Sequence, residues 1–511
     1  MTIFTGIKPN RIKKNKFNLS HEMKFSCNMG QLIPIVHQEV LPGDSFKVNS
    51  EIFMRLAPMI APMMHRVNVF THYFFVPNRL IWSEWEDFIT GGKDGASTAE
   101  HPYCVMNQSN RALWTKGRLA DYLGVPVTEG TEVIDATLNF SGLPPRAYLE
   151  IYNEYYRDQN LTDPVPFDKG GGRITDTDLT ELTTVRNRPW EKDYFTSALP
   201  WAQRNQESVK IQGDVQYQPS SSIHDQLGNK IEDAGTHNLT YNSSGFLDDD
   251  NLGTSGSIQL QNIESLGIDI NELRQSNRLQ EWLERSARGG SRYVEQLLSF
   301  FGVISPDSRI QRPEYLGGGK TPIVISEVLQ TGETATTPQG NLAGHGISVG
   351  RTNSFTKKFL EHGHVIGIMS VLPKTAYQQG MPRILRKYSR YDYYWKEFAH
   401  LGEQEVRNHE IYWDKAAADN WNDETFGYQS RYAEYKYCCS HVAGDFRDNL
   451  DYWHMGRKFT ARPALNEEFV SSDPTQRIYA VTDPDVHKLY VQLYNNISAL
   501  RPIPYFGTPY L

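Results

Sequence analysis

Cysteine is scarce in this sequence: Cys27, Cys104, Cys438 and Cys439 are the whole set, and no two form a CxxC pair. A disulfide framework is thereby excluded. Neighbours such as Cys438 and Cys439 rarely bridge each other, so a reducing assembly compartment is expected. Long apolar runs are missing too. The longest candidate, 365–372, falls well short of the ~20 residues of a membrane span, so no membrane insertion is expected. Residues 1–10 lack an apolar h-region, and Sec-type export is not indicated. There is no HExxH and no carboxylate pair that stands apart, so neither an enzyme nor a cofactor is expected.

Three short motifs fail on closer reading. Gly317-Gly-Gly-Lys320-Thr321 looks like the end of a phosphate loop, but the glycine required five positions before Gly319 is Glu314. Pro322 and an apolar 323–325 follow, where a helix is needed. His362 and His364 sit two apart and share one face of a strand, but no nearby Cys or His pair completes a metal set. Asp248-Asp249-Asp250 lacks the spaced oxygens and glycine of a calcium loop and reads as a solvated acidic tip. No metal site is expected.

What the chain has in quantity is aromatics and turn formers. Tyr, Phe and Trp make up 12% of 511 residues, and 39 Gly and 27 Pro interrupt nearly every segment. Many short strands joined by long loops give that texture; a helical bundle does not. The span 31–56 alternates in short pieces around a turn at Pro42-Gly43-Asp44. The clearest strand is 66–76, with Val67, Val69, Tyr73 and Phe75 on one face and Phe70, Phe74 and Val76 on the other, so both sides are expected to be buried. Further strands are expected at 323–329, 364–372 and 431–439. Helices are expected in the connections: 80–90 ending at Gly91-Gly92, 146–160 after Pro144-Pro145, and a pair at 271–288 and 291–301. Strands from end to end, with helices only between them, argue for two packed antiparallel sheets rather than βαβ winding.

Charge is unevenly placed. Residues 1–24 hold Lys8, Arg11, Lys13, Lys14, Lys16 and Lys24 against Glu22, a net +5, which leaves −13 for the remainder of a chain whose total is −8. This arm is expected to be extended, ordered only by a partner, and to set Lys8, Arg11, Lys13, Lys14 and Lys16 against nucleic-acid phosphates. A second group, Arg383, Arg386, Lys387 and Arg390, is interleaved with Tyr388, Tyr391, Tyr393, Tyr394 and Trp395. Cations with flat rings suit unstacked bases, but Arg and aromatics are also typical of interface hot spots. Subunit interface and DNA both remain open for this group.

One stretch breaks the pattern. Of the 57 residues in 206–262, 29 are Ser, Gly, Asn, Gln or Thr, and eight carboxylates face only Lys210 and Lys230. Val209, Ile211, Val215 and Tyr217 alternate at its start, Ile258 and Leu260 at its end. A two-stranded stalk with a polar head at 219–255 is expected to project outward. Tyr217, His224, His237, Tyr241, Asp248, Asp249 and Asp250 are its candidate receptor contacts.

Several long strings resemble the major capsid protein family of the gokushoviruses, a branch of the microviruses. They are 55–65 (RLAPMIAPMMH), 72–80 (HYFFVPNRL, with Trp82 and Trp85 beyond), 148–160 (YLEIYNEYYRDQN), 194–201 (YFTSALPW) and 287–293 (ARGGSRY). After them come 301–319 (FGVISPDSRIQRPEYLGGG), 377–382 (YQQGMP), 398–405 (FAHLGEQE) and 426–435 (FGYQSRYAEY). The resemblance implies an all-β, eight-stranded double-sheet jelly roll with long, partly helical insertions, in three regions: the arm 1–24, one capsid domain 25–511, and within it the protruding insertion 206–262. It implies a T=1 shell of about sixty copies around circular single-stranded DNA, with the insertion forming threefold protrusions that meet the host. The partners expected are further copies of the chain, the genome, a small basic DNA-binding virion protein and a bacterial surface receptor. The place is the virion, assembled in the host bacterial cytoplasm. A carbohydrate-binding or carbohydrate-active β-sandwich is the alternative that the aromatic content allows.

Overall fold

The computed structural model describes residues 13–204, 239–241, 247–249, 270–290, 292–329, 342–351, 354–417, 419–481 and 483–506. The chain divides into two compact units, Met1–Ala202 with Ala287–Leu511, and Gln203–Ser286.

In the larger unit eleven strands build two sheets. In chain order they are β1 (Asn15–Asn18), β2 (His21–Cys27), β3 (Ile33–Val40), β4 (Ser45–Leu56), β5 (Val67–Pro77), β6 (Glu314–Pro322), β7 (Val324–Leu329), β8 (Leu342–Arg351), β9 (Phe355–Lys358), β10 (Gly363–Pro373) and β11 (Leu489–Arg501). One sheet runs β1, β11, β4, β8, β7, with β2 also on β11 and β9 also on β4; the other runs β6, β5, β10, β3. Every pairing in both is antiparallel.

Strict alternation sets the inner faces. In β4, Phe46, Val48, Ile52, Met54 and Leu56 point inward; in β11, Leu489, Val491, Leu493, Ile497 and Ala499 do. They meet Val67, Val69, Tyr73 and Phe75 of β5 and Val365, Met369 and Val371 of β10 in one core between the sheets. Burial of each large aliphatic or Phe side chain contributes ~1.5–3 kcal/mol. Asn495 interrupts the apolar row of β11 and lies wholly buried. Its Oδ1 accepts from Ser50 Oγ at 2.7 Å, Ser50 Oγ accepts from Tyr73 OH at 2.7 Å, and Asn495 Nδ2 donates to the Ile35 carbonyl at 2.8 Å. This polar chain ties β4 and β11 to β5 and β3 through the core.

The far face of β5 and β10 is also buried, as the sequence predicts for 66–76. Phe74, Val76, Ile366 and Ile368 pack with Trp82, Trp114 and the helix Leu143–Ile151 in a second core. A third core joins Tyr194, Phe195, Tyr377, Val406, Ile411, Phe426 and Phe469, outside both sheets.

Other expected elements shift or fail. The helix expected at 80–90 is two short pieces, Asn78–Ile81 and Trp85–Thr90, the second stopped by Gly91 at φ +82°. The one expected at 146–160 starts at Leu143 and widens into a π turn over Tyr152–Tyr156. The pair near 271–301 is Ile270–Gly289 and Tyr293–Phe301. No strand forms at 431–439: Tyr432 sits at φ +60° and a 3-10 turn covers Ala433–Tyr435, while the strand lies earlier, at Thr425–Ser430. The arm also ends sooner than expected. β1 and β2 pair with β11 inside the same chain, so 15–24 is ordered without a partner; Leu19, Met23 and Phe25 pack against the main core.

Candidate nucleic-acid interface and subunit contacts

Lys8 and Arg11 lie outside the described residues. Lys13 and Lys16 are exposed at the β1 edge, where Lys16 pairs with Leu500, and Lys14 Nζ donates to the Gly43 carbonyl in the β3–β4 turn. Asp44 in that turn is wholly buried; it accepts from the Leu41 amide at 2.9 Å and from Arg501 Nε at 3.0 Å, which anchors the end of β11 beside the arm.

The second cationic group is brought together, but most of it is neutralised within the chain. Arg383 Nη1 is 3.2 Å from Glu410 Oε1, and Arg386 Nη1 is 2.6 Å from Asp423 Oδ1. The Arg386 hydrogen bond holds the Asp423 carboxyl below the usual carboxylate range. Burial pushes Glu410 up, against the Arg407 amide and the Arg383 charge. Lys387 is buried over the Tyr435 ring, 3.8 Å from its centroid, with Glu434 Oε1 at 3.3 Å; that carboxylate is an ion-pair partner but not an aligned hydrogen-bond acceptor. Arg390 is exposed and donates to Tyr391 OH at 2.8 Å. What faces solvent here is mainly apolar: Ile384, Leu385, Tyr388, Tyr391, Tyr393, Tyr394 and Trp395.

Of the insertion, two short strands are described, Leu239–Tyr241 and Leu247–Asp249, which set Tyr241 beside Leu247, Thr240 beside Asp248 and Leu239 beside Asp249. Tyr217, His224, His237, Asp250 and the expected stalk pairing of 209–217 with 258–260 lie outside the described residues.

The glycine run 317–319 is part of β6. A Cβ on Gly318 would stand 2.6 Å from His72 Cδ2 and from the Thr71 carbonyl, so close approach to β5 explains the glycine without a phosphate. His364 finds a partner that the sequence did not suggest: its Nδ1 is 3.2 Å from His37 Nε2 on the neighbouring strand, one nitrogen donating and the other accepting. Burial, then the His37 charge, lowers His364 to about 3, so the pair is neutral at physiological pH. Among the described residues no three His, Cys, Asp or Glu side chains gather to hold a metal.

Sequence reasoning also missed a cleft of about 970 Å³ lined by Arg157, Arg188, Arg292, Arg312, Trp190 and Tyr315, among others. Its cations are mostly held inside: Arg312 Nε on Asp307 at 2.7 Å, Arg292 Nη1 on Glu295 at 3.5 Å, and Arg188 over the Phe70 ring at 4.1 Å. The available signal was the arginines of the strings 148–160, 287–293 and 301–319, which supply Arg157, Arg292 and Arg312. No helix among the described residues is long and apolar enough to cross a membrane.

Paired cations, buried neutral histidines and exposed aromatics suit a protein whose work is contact. The comparisons with known proteins agree. The sequence profile described as "Capsid protein (F protein)" matches residues 5–511. The chain is 35% identical to "Capsid protein VP1" of Chlamydia phage 1, across 99% of this chain and 97% of that one. It is 35% identical to the protein of the same name from Bdellovibrio phage phiMH2K (97% and 95% covered), and 31% identical to that of Spiroplasma virus 4 (99% and 97% covered). A match of this extent bears out the resemblance carried by the long strings, and the chain belongs to the phage capsid protein (F protein) family, with a structural rather than an enzymatic role.

Proposed function

We propose that the chain is an eight-stranded jelly-roll subunit that closes, in about sixty copies, a T=1 shell around a circular single-stranded DNA genome. The observation that carries the fold is the nesting of the strands. Taking β1 with β2 and β8 with β9 as interrupted single strands, and β7 as an added edge, leaves eight. The first pairs with the last, the second with the seventh, the third with the sixth and the fourth with the fifth. A long hairpin rolled into two sheets has that order.

Repeated weak contacts suffice to close such a container, because many act together. The exposed ring cluster at 388–395 is the subunit contact in this reading, since the neighbouring Arg383, Arg386 and Lys387 already have carboxylates and its apolar surface needs cover. The arm, with Lys8, Arg11, Lys13, Lys14 and Lys16, turns toward the genome, where a small basic virion protein shares the phosphate load. The insertion 206–262 projects outward and meets a bacterial receptor, with assembly in the host cytoplasm. Sedimentation and negative-stain microscopy of the purified chain test the shell reading. Closed particles of one size are expected; a stable monomer under all salt and pH conditions would defeat it.

A further inference from the structure

The two sheets are treated differently on their far sides. Helix Leu143–Ile151 covers the four-stranded sheet, whereas the face of the seven-stranded sheet turned away from the core is exposed across β1, β2, β4 and β11. The side chains that point there are the alternates of the core set. Rings stand in its middle: Tyr490 and Tyr494 of β11 and Phe53 of β4, between 36% and 44% exposed. The register sets Gln492 between Lys24 and Phe53, and Tyr490 beside Arg55. Phe53 therefore sits diagonally between the two tyrosines, and each diagonal spans about 7–8 Å.

Cations surround the rings. On this face Lys16, Lys24, Lys47, Arg55 and Lys358 meet two carboxylates, Glu22 and Glu51. The Lys24–Glu22 pair at 3.0 Å is solvent-exposed and screened. A positive face on a chain of net −8 is a local departure from the charge of the whole. Its edge continues into Lys13 and the arm, and Asn18, Asn49 and Asn496 add amides able to bond base edges.

We propose that this open sheet face is a binding platform for single-stranded DNA, a reading that rests on the shell enclosing such a genome. Unpaired bases stack on Tyr490, Phe53 and Tyr494, and the backbone phosphates lie along Lys16, Lys47 and Arg55. Flat rings on an open sheet can reach base faces only where the bases are unpaired, which selects single strands over duplex. A second copy of the same face is a poorer occupant, because a symmetric contact would set lysine against lysine.

The test is fluorescence anisotropy of labelled oligodeoxythymidylate titrated with the full-length subunit over a salt series. Tyr490→Ala and Tyr494→Ala are each expected to weaken binding about 5- to 150-fold, the range measured for losing one base stack. Tyr490→Phe and Tyr494→Phe should bind as the parent does, because stacking survives. Lys47→Gln should flatten the log–log salt slope by ~0.7. Alanine variants that keep the parental circular dichroism and the parental affinity would overturn the proposal. So would alanine variants that bind DNA normally yet no longer form particles, which would make the face a subunit contact. Should the alanine variants misfold, Lys47→Gln decides, and an unchanged slope overturns the platform. Parent chain that binds the oligonucleotide but never forms shells would defeat the shell reading instead.

Discussion

Asn495→Ala examines the polar chain that joins the two sheets. Asn495 is wholly buried, so no water can replace its amide without entering the core. Its removal takes the donor from the Ile35 carbonyl and the acceptor from Ser50 Oγ, bonds of 2.8 and 2.7 Å. Each buried polar group left unmatched costs ~1–3 kcal/mol, and the lost side-chain volume adds a smaller cavity term, so about 3–5 kcal/mol is expected. Tyr73→Phe keeps the ring and removes only the hydroxyl that donates to Ser50, a bond of 2.7 Å; about 1–2 kcal/mol is expected. Urea unfolding of the dissociated subunit is the assay, because particle melting mixes folding with assembly. The two changes share Ser50 and should couple by at least ~0.5 kcal/mol in a double-mutant cycle. A cost below about 1 kcal/mol for Asn495→Ala, or strict additivity, would refute the idea that this chain fastens the sheets.

Phe75→Ala removes a core ring that packs 4.8 Å from Phe359 and should cost about 3–5 kcal/mol and lower particle yield. Subunit stability should fall as pH drops from about 6.5 toward 4: burial lowers His72 to about 4 and His364 to about 3, so the unfolded chain takes up protons that the folded one refuses. Urea midpoints should reflect about 1.4 kcal/mol per pH unit for each of these histidines, and midpoints that do not move across that range would contradict the buried neutral state. Replacing Lys8, Arg11, Lys13, Lys14 and Lys16 with Gln should leave shells intact and reduce the DNA recovered from them; unchanged DNA content would make the arm structural. Replacing 219–255 with a short Gly-Ser link should preserve particles and abolish adsorption to the host, and normal adsorption would remove the receptor role.

Much of the sandwich was legible because alternation is a strong signal where one face is buried. β5 and β10 stood out because both their faces are apolar. β11 was missed although Leu489, Val491 and Leu493 alternate with Tyr490, Gln492 and Tyr494, because Asn495-Asn496 breaks the apolar row. The break is tolerated through Ser50, the Ile35 carbonyl and His21 Nε2, which lie far away in sequence. The arm misled in the opposite sense. Its lysines dominate composition, while Leu19, Met23 and Phe25 carry the weaker pattern that joins it to the sheet. The aromatics of 431–439 look like a strand but fold as a turn, and Tyr435 stacks on Lys387. For the candidate site, the sequence located Arg383, Arg386 and Lys387 but not Glu410, Asp423 and Glu434, the partners that neutralise them.

The central claim is a jelly-roll shell around single-stranded DNA, and a cryo-electron-microscopic reconstruction of DNA-filled particles tests it most directly. The account predicts a T=1 map whose subunits keep the nested strand order, with Lys13 and Lys16 facing the cavity and the 206–262 insertion on the outer surface at the threefold axes. A map in which Lys13 and Lys16 lie on the outer surface, or in which the strands pair in another order, would contradict it.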